Sequence, residues 1–291
     1  MKRTKKSLTI ALVIATLSGV LMALAGSQGS VMVGAWPVFA LCCGFAFALN
    51  WFAFIPANWA QTERYYDFTG SATYIGMIVL AAVLSLPSDP RATIVTVLVL
   101  IWAIRLGTFL FVRIRQDGRD DRFDEIKVNP LRFLFAWTVQ ALWVVMTAAC
   151  ALAIVTTQNE QPLGLIGQLG IVMWVVGFLI EVIADSQKRV FKKNPANEGR
   201  FIRSGLWAWS QHPNYFGEIL LWTGIAVMAI PVLEGWQYVT LLSPVFVTLL
   251  LTKLSGIPLL RAKAQERWGE DDEYQSYRAN TSTMIPMPPK S

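Results

Sequence analysis

Eight apolar stretches divide the chain, and polar, largely basic segments separate them. They fall at about residues 8–26, 31–55, 71–87, 92–112, 131–156, 164–184, 214–232 and 236–256. Most approach the roughly 20 residues that a helix needs to cross the apolar layer of a bilayer. None shows the two-residue alternation of a half-buried strand, and no repeat or low-complexity tract interrupts them. A backbone in lipid must satisfy its own hydrogen bonds, so the pattern predicts an all-α integral membrane protein. The expected architecture is a polytopic bundle of about eight transmembrane helices. Residues 1–30 read as an extra N-terminal transmembrane helix, and 31–291 as a seven-helix membrane domain with a cap over 257–291. The first stretch, ending near Ala25-Gly26-Ser27, also has the outline of a signal peptide, although its apolar run is long for one.

The basic residues set an orientation. Lys2, Arg3, Lys5 and Lys6 precede the first span. Arg113, Arg115, Arg119, Arg122 and Lys127 follow the fourth, and Lys188, Arg189, Lys192, Lys193, Arg200 and Arg203 follow the sixth. Arg261, Lys263, Arg267, Arg278 and Lys290 lie beyond the eighth. With eight spans all of these fall on one side, and the opposite loops hold only Arg91. The positive-inside rule then makes both termini cytoplasmic.

Composition agrees. The chain is 54% hydrophobic and 15% charged, against roughly 25% charged in ordinary soluble domains. The net charge of +6 comes from membrane-border residues, which gives no reason to expect a nucleic-acid partner. Cys42, Cys43 and Cys150 all lie in apolar runs and read as buried thiols, with no metal site.

The candidate chemistry lies where polar groups enter apolar spans. In Ser210-Gln211-His212-Pro213-Asn214-Tyr215-Phe216-Gly217-Glu218, proline starts a helix that carries an amide and a carboxylate into the membrane. Asn214 and Glu218 share a face at i, i+4 spacing, with Tyr215 beside them. His212 is the single histidine of the chain. Polar groups at that depth are costly unless they face a ligand or a wet cavity. Upstream come Glu181 and Asp185, one turn apart, then Lys192 and Arg200. Cations suit phosphates, while carboxylates and amides suit ribose hydroxyls and carboxamides, so the set fits a dinucleotide. Lys188, Arg189 and Lys193 read instead as anchors to lipid headgroups. Arg105 lies inside the fourth span and marks a second site. Gln61, Glu63, Tyr65, Tyr66 and Asp67 lie between the second and third spans, where a tyrosine beside a carboxylate can deliver a proton. The tail, with Glu266-Arg267-Trp268-Gly269, Tyr274 and Tyr277, looks like a cap on the same face.

The series Asp185, Lys192, Arg200, His212 to Glu218, Gly256-Ile257-Pro258 and Ile285-Pro286 resembles the steroid 5α-reductase superfamily. It is most similar to a bacterial branch long catalogued as a domain of unknown function. Trp102 to Leu106 and Gly118 to Phe123 add to the likeness, which covers about residues 50–290. The resemblance implies an NADPH-dependent oxidoreductase acting on an activated carbon–carbon double bond, in a bacterial inner membrane, with its cofactor site open to the cytoplasm. The family's cofactor contacts carry over onto Arg105, Asp185, Lys192, Arg200, Asn214 and Glu218, with Arg261 a further tail contact. His212 and Tyr215 join them from their place in the motif. The family's carbonyl-polarising tyrosine is replaced by Trp102, and Gln61 and Glu63 are the nearest match to its Gln-Glu pair. Glu63 and Tyr66 are therefore the expected catalytic residues, hydrogen-bonding the enolate oxygen. The expected substrate is lipophilic and enters from the bilayer; membrane lipids are the other partners, and the chain acts as a monomer. The alternative is a membrane methyltransferase using S-adenosylmethionine. Isoprenylcysteine and phospholipid methyltransferases share the His-Pro-x-Tyr element and the Ile-Pro tail, but usually have arginine where this chain has Gln211.

Overall fold

The computed structural model describes residues 5–86, 89–117 and 123–288, with the backbone alone described over 111–117. Lys2, Arg3, Arg113, Arg115, Lys290 and the stretch 118–122 therefore lie outside the described side chains. Apart from a two-residue hairpin, β1 (Met32–Val33) against β2 (Trp36–Pro37), the described chain is helical. Eight helical segments are long and apolar enough to cross a membrane. The first six are α1 (Lys5–Gly26), α2 (Val38–Trp59), α3 (Tyr66–Ser85), α4 (Pro90–Asp117), α5 (Pro130–Thr156) and α6 (Gly164–Lys193). The seventh is α7 (Pro213–Ala229), which tightens into a 3₁₀ turn to Val232. The eighth runs from Gly235 as a 3₁₀ segment, then α8 (Leu242–Leu249), a π turn to Leu254 and, past Ser255-Gly256, α9 (Ile257–Trp268). A short α10 (Asp272–Asn280) follows.

Three helix ends depart from the apolar pattern. α2 starts at Val38 because Gly34 turns the chain at φ +59° and Pro37, at φ −68°, precedes the first helical residue. α3 starts at Tyr66, where the Tyr66 amide donates to the Glu63 carbonyl, so Tyr66 and Asp67 are helical. α6 runs on to Lys193, nine residues beyond its apolar run, and ends just before Pro195. Nothing between Ala184 and Lys193 breaks a helix, so charged residues continue it as an aqueous extension.

The chain divides into two compact units: Met1–Gly167 with Met228–Ser243, and Gln168–Val227 with Pro244–Ser291. In the first, α5 is the axis. The Asn129 side chain caps its start, accepting from the amides of Leu131 (3.0 Å) and Arg132 (3.2 Å). Its small residues Ala148, Ala149, Ala151 and Ala153 are buried, and α1 to α4 pack round it. At one end the connecting segments are tied to one another. The Val31 amide donates to Thr156 (2.7 Å), and the Trp236 amide to the Gln28 side chain (2.7 Å). Arg91, fully buried, donates to the carbonyls of Met228 (2.7 Å), Gln161 (3.3 Å), Pro162 (2.5 Å) and Leu163 (3.3 Å). Arg91, the basic residue of the opposite loops, thus works as a clamp on backbone.

In the second unit α6 and α7 touch backbone to backbone. A Cβ on Gly177 would lie 2.6 Å from the Gly217 carbonyl, and one on Gly217 would lie 2.5 Å from the Gly177 carbonyl. Seven residues further on, a Cβ on Gly224 would lie 2.6 Å from the Gly170 carbonyl. Glycine at these positions is what lets the two helices approach so closely.

Candidate functional site

The α6–α7 contact fixes the polar residues that the sequence singles out. Asp185 lies two turns past Gly177 on α6, and Asn214 lies three residues before Gly217 on α7. The Asn214 amide donates to the Asp185 carboxylate at 3.2 Å. This fixes which way the Asn214 amide points: its nitrogen faces the carboxylate and its oxygen is turned elsewhere. Glu218 follows one turn on, half-buried like Asn214 and Asp185. Glu181, one turn before Asp185, is 5% exposed. The second unit therefore holds two carboxylates on α6 and an amide and a carboxylate on α7.

His212 lies just outside α7. Its ring stacks on Tyr215, 5.6 Å between centroids and 12° from parallel. Burial, then the charges of Lys188 and Arg261, push the imidazole down to about 4, so it is neutral at ordinary pH. Tyr215 in turn meets the Gly-Ile-Pro turn, where a Cβ on Gly256 would come 2.9 Å from its ring. The motif glycine thus lets the turn before α9 reach the His212–Tyr215 stack. Lys192, Arg200 and Arg261 are exposed, and none of the three forms an ion pair among the described residues.

Side chains outside the expected cofactor set hold this arrangement, and two of them, Trp207 and Gln187, carry no signal in the sequence. Trp207, 3% exposed, donates its indole N–H to the Ala184 carbonyl (3.0 Å), and its own carbonyl accepts from the Tyr277 hydroxyl (2.7 Å). Burial raises the Tyr277 phenol, which keeps it a donor. The Gln187 side chain accepts from the Leu206 amide (3.0 Å) beneath Gly205, which has φ +61°. Gln211 donates through its amide nitrogen to the carbonyls of Arg278 (3.1 Å) and Thr281 (2.7 Å), and its backbone amide donates to Ser282 (2.8 Å). Ser210 donates to the Met284 carbonyl (2.7 Å). The expected cap is therefore stitched to the His-Pro turn. Phe201 packs among Trp268, Tyr274 and Tyr277, and Arg203 pairs with Glu273, which holds α10 there too.

The remaining candidates belong to the first unit. Arg105 is half-buried on α4. Three residues earlier Trp102 meets Tyr74 edge-on at 5.0 Å. Glu63, 6% exposed, pairs with Lys127 at 2.8 Å, and its carboxylate holds that ammonium above its usual range. The Tyr66 hydroxyl donates to the Ala136 carbonyl (2.9 Å), and its ring lies among Phe123 and Trp137. Both expected catalytic residues thus have defined local partners here. Gln61 turns the chain at φ 51° and donates to the Asn58 carbonyl at 2.8 Å. Cys42, Cys43 and Cys150 are buried free thiols, and no His/Cys/Asp/Glu group able to hold a metal occurs among the described residues.

Comparison with known proteins places the chain in a family. A family model described as "Protein of unknown function (DUF1295)" matches residues 53–281. The chain is 29% identical over 118 residues to 3-oxo-5-alpha-steroid 4-dehydrogenase 1 of Rattus norvegicus, covering 40% of each chain. It is 32% identical over 118 residues to Steroid 5-alpha-reductase DET2 of Gossypium hirsutum, covering 40% of this chain and 41% of that one. A shorter match, 34% identical over 58 residues and 20% of each chain, is to Probable O-methyltransferase ustE of Ustilaginoidea virens. The chain spans about two fifths of the length of the reductases that it matches. No solved structure matches. With its family model covering most of the chain and its reductase-like relatives alongside, the protein belongs to the DUF1295 family, within the steroid 5α-reductase superfamily.

Proposed function

We propose that this integral membrane protein is an NADPH-dependent reductase of an activated carbon–carbon double bond in a lipid, sterol-like or isoprenoid substrate. The observation that carries the reading is the Asp185–Asn214 contact on the close-packed α6–α7 pair. An amide whose nitrogen is committed to a carboxylate keeps a fixed carbonyl oxygen for a ligand N–H, which suits a carboxamide. The donor set fits the rest of a nicotinamide dinucleotide: Glu181 and Glu218 for hydroxyls, and Lys192, Arg200 and Arg261 for phosphates. Bound there, the cofactor supplies a hydride.

The chain's own part is to bind, orient and exclude water. Asn214 and Glu218 fix the orientation, and glycine packing prevents them from drifting. Neutral His212 offers one ring nitrogen as donor and the other as acceptor without adding charge. Tyr66 or Glu63 then hydrogen-bonds the substrate oxygen as it gains charge, with Tyr66 turning from the Ala136 carbonyl or Glu63 parting from Lys127. The substrate enters from the bilayer, and the cofactor site faces the cytoplasm of a bacterial inner membrane.

A second reading is favoured by the methyltransferase match and by the shared His-Pro-x-Tyr element. One binding experiment separates the two. Purified protein in detergent is melted with NADPH and with S-adenosylmethionine; a ligand that binds only the folded state raises Tm. A rise with NADPH that is lost in Glu218→Ala and Arg200→Ala supports the reductase. A rise with S-adenosylmethionine alone makes the chain a methyltransferase.

A further inference from the structure

Along α6, Leu169, Val172, Val176, Leu179 and Ile183 follow one another at three- and four-residue steps, and Ser186 and Val190 continue the same row. The five aliphatic side chains and Val190 are exposed. Where the row leaves the apolar run it enters an open cavity of about 430 Å³. Ser186, Gln187, Val190, Phe191 and Asn194 line it from α6, and Asn197 and Ser204 from the segment that follows. At 1.5 Å per residue, Ser186 lies roughly 3 Å and Asn194 roughly 15 Å past Ala184. The polar layer on each side of a bilayer's apolar core is about 5–8 Å deep, so the cavity begins at headgroup depth. Its amides are held in fixed senses. The Gln187 oxygen accepts from the Leu206 amide and the Asn194 oxygen from the Ala196 amide, both at 3.0 Å, so each keeps its NH₂ group for another partner. The Asn197 nitrogen donates to the Phe191 carbonyl at 2.9 Å, which leaves its oxygen as the acceptor. Ser186 and Ser204 add two hydroxyls. Among the described residues no carboxylate lines the cavity, and exposed Arg189 and Lys193 adjoin Val190 and Asn194. Asp185, Lys188 and Lys192 lie on another face of the same turns.

An uncharged lining rich in donors suits phosphodiester oxygens, cations at its edge suit a net negative charge, and an exposed aliphatic row suits an acyl chain. We propose that the row and the cavity together hold one anionic glycerophospholipid. An acyl chain runs along Leu169 to Ile183, the phosphodiester meets the donors of Gln187, Asn194 and the two serines, and a headgroup hydroxyl donates to the Asn197 oxygen. Phosphatidylglycerol meets each of these terms. A choline headgroup has no hydrogen to donate, and an ammonium headgroup needs a carboxylate that the lining does not supply. The headgroup joins α6 to the segment that carries Asn197 and Ser204. This lipid site is independent of the cofactor that the chain binds.

The test uses the full chain in a neutral detergent, with dioctanoyl lipids counted on the protein by native mass spectrometry. Phosphatidylglycerol is expected to bind about fivefold or more tightly than phosphatidylcholine, with a first molecule held ahead of any others. Val190→Asp sets a carboxylate at an exposed position of the lining. It is expected to weaken phosphatidylglycerol by on the order of tenfold while phosphatidylcholine changes by less than about twofold, and Val190→Lys is expected to keep the preference. If Val190→Asp does not fold, the double variant Ser186→Ala with Ser204→Ala carries the same expectation, since neither hydroxyl holds backbone. Equal binding of the two lipids by the wild type overturns the inference, as does a preference unchanged in Val190→Asp and in the serine pair. A loss in Val190→Asp that phosphatidylcholine shares makes the face a non-selective lipid surface and also overturns it. Glycerol phosphate or inorganic phosphate that displaces the lipid at equal concentration marks a site for free anions, in which the aliphatic row has no part, and overturns it too.

Discussion

With its imidazole held near 4, His212 takes up a proton in the unfolded chain near 6.5 but in the folded chain only near 4. Between these values the unfolded state binds the extra proton, so stability rises with pH across that window and falls as the solution is acidified through it. Melting curves of wild type and His212→Gln are expected to diverge below about pH 6.5, with the wild type losing more, and to run parallel above it. A second residue-level prediction concerns the hydrogen bond to Asp185. Asn214→Asp sets a carboxylate against a carboxylate, and is expected to lower stability by about 1–3 kcal/mol and to abolish the NADPH-induced rise in Tm. At this scale Asp185, Asn214 and Glu218 were legible because polar side chains in an apolar span announce themselves. Trp207, Gln187 and Gln211 were not, because each acts on backbone groups that only the folded chain brings near. Gln211 reads in sequence merely as a departure from arginine; in the structure it is the stitch that holds the tail.

Among helices, the Gly177–Gly217 contact sets the geometry. Adding one methyl at either position drives a Cβ to within 2.6 Å of the opposite carbonyl. Gly217→Ala is expected to cost about 1–3 kcal/mol through overpacking and to weaken NADPH binding in the same variant. Gly44→Ala in α2 is the control, since a Cβ there meets nothing within 4 Å. Thermal melts and NADPH titrations of both variants check the pair. Hydropathy located the spans well but misplaced the end of α6, because the helix outlasts its apolar run by nine charged or polar-flanked residues. As a helix, and not as a loop, that extension brings Asp185, Lys188 and Lys192 onto one face. The start of α3 was misplaced for the opposite reason, since Tyr66 and Asp67 look like loop residues yet begin a helix.

For the molecule as a whole, Arg91 is the residue whose loss should be felt most. Its guanidinium reaches four carbonyls, three in the connection before α6 and one near the end of α7. Arg91→Met would leave those acceptors buried without a donor, and Asp89 buried beside them, so a loss of about 3–5 kcal/mol is expected in a reversible unfolding measurement. The eight-span count was legible because apolar length and charge placement agreed, whereas the division into two units was not. It arises because the chain leaves the first unit after Gly167, returns for Met228–Ser243 and leaves again, a path that no local pattern records. Within that first unit, the tip between β1 and β2 stands apart from the tied segments around it: a Cβ on Gly34 would touch nothing within 4 Å, and Val33 and Trp36 are exposed. That makes the hairpin a natural port for a short epitope or a single labelling cysteine between Gly34 and Ala35. Such a handle would report from intact cells on which side of the membrane it lies, and would leave every residue proposed here for chemistry unaltered.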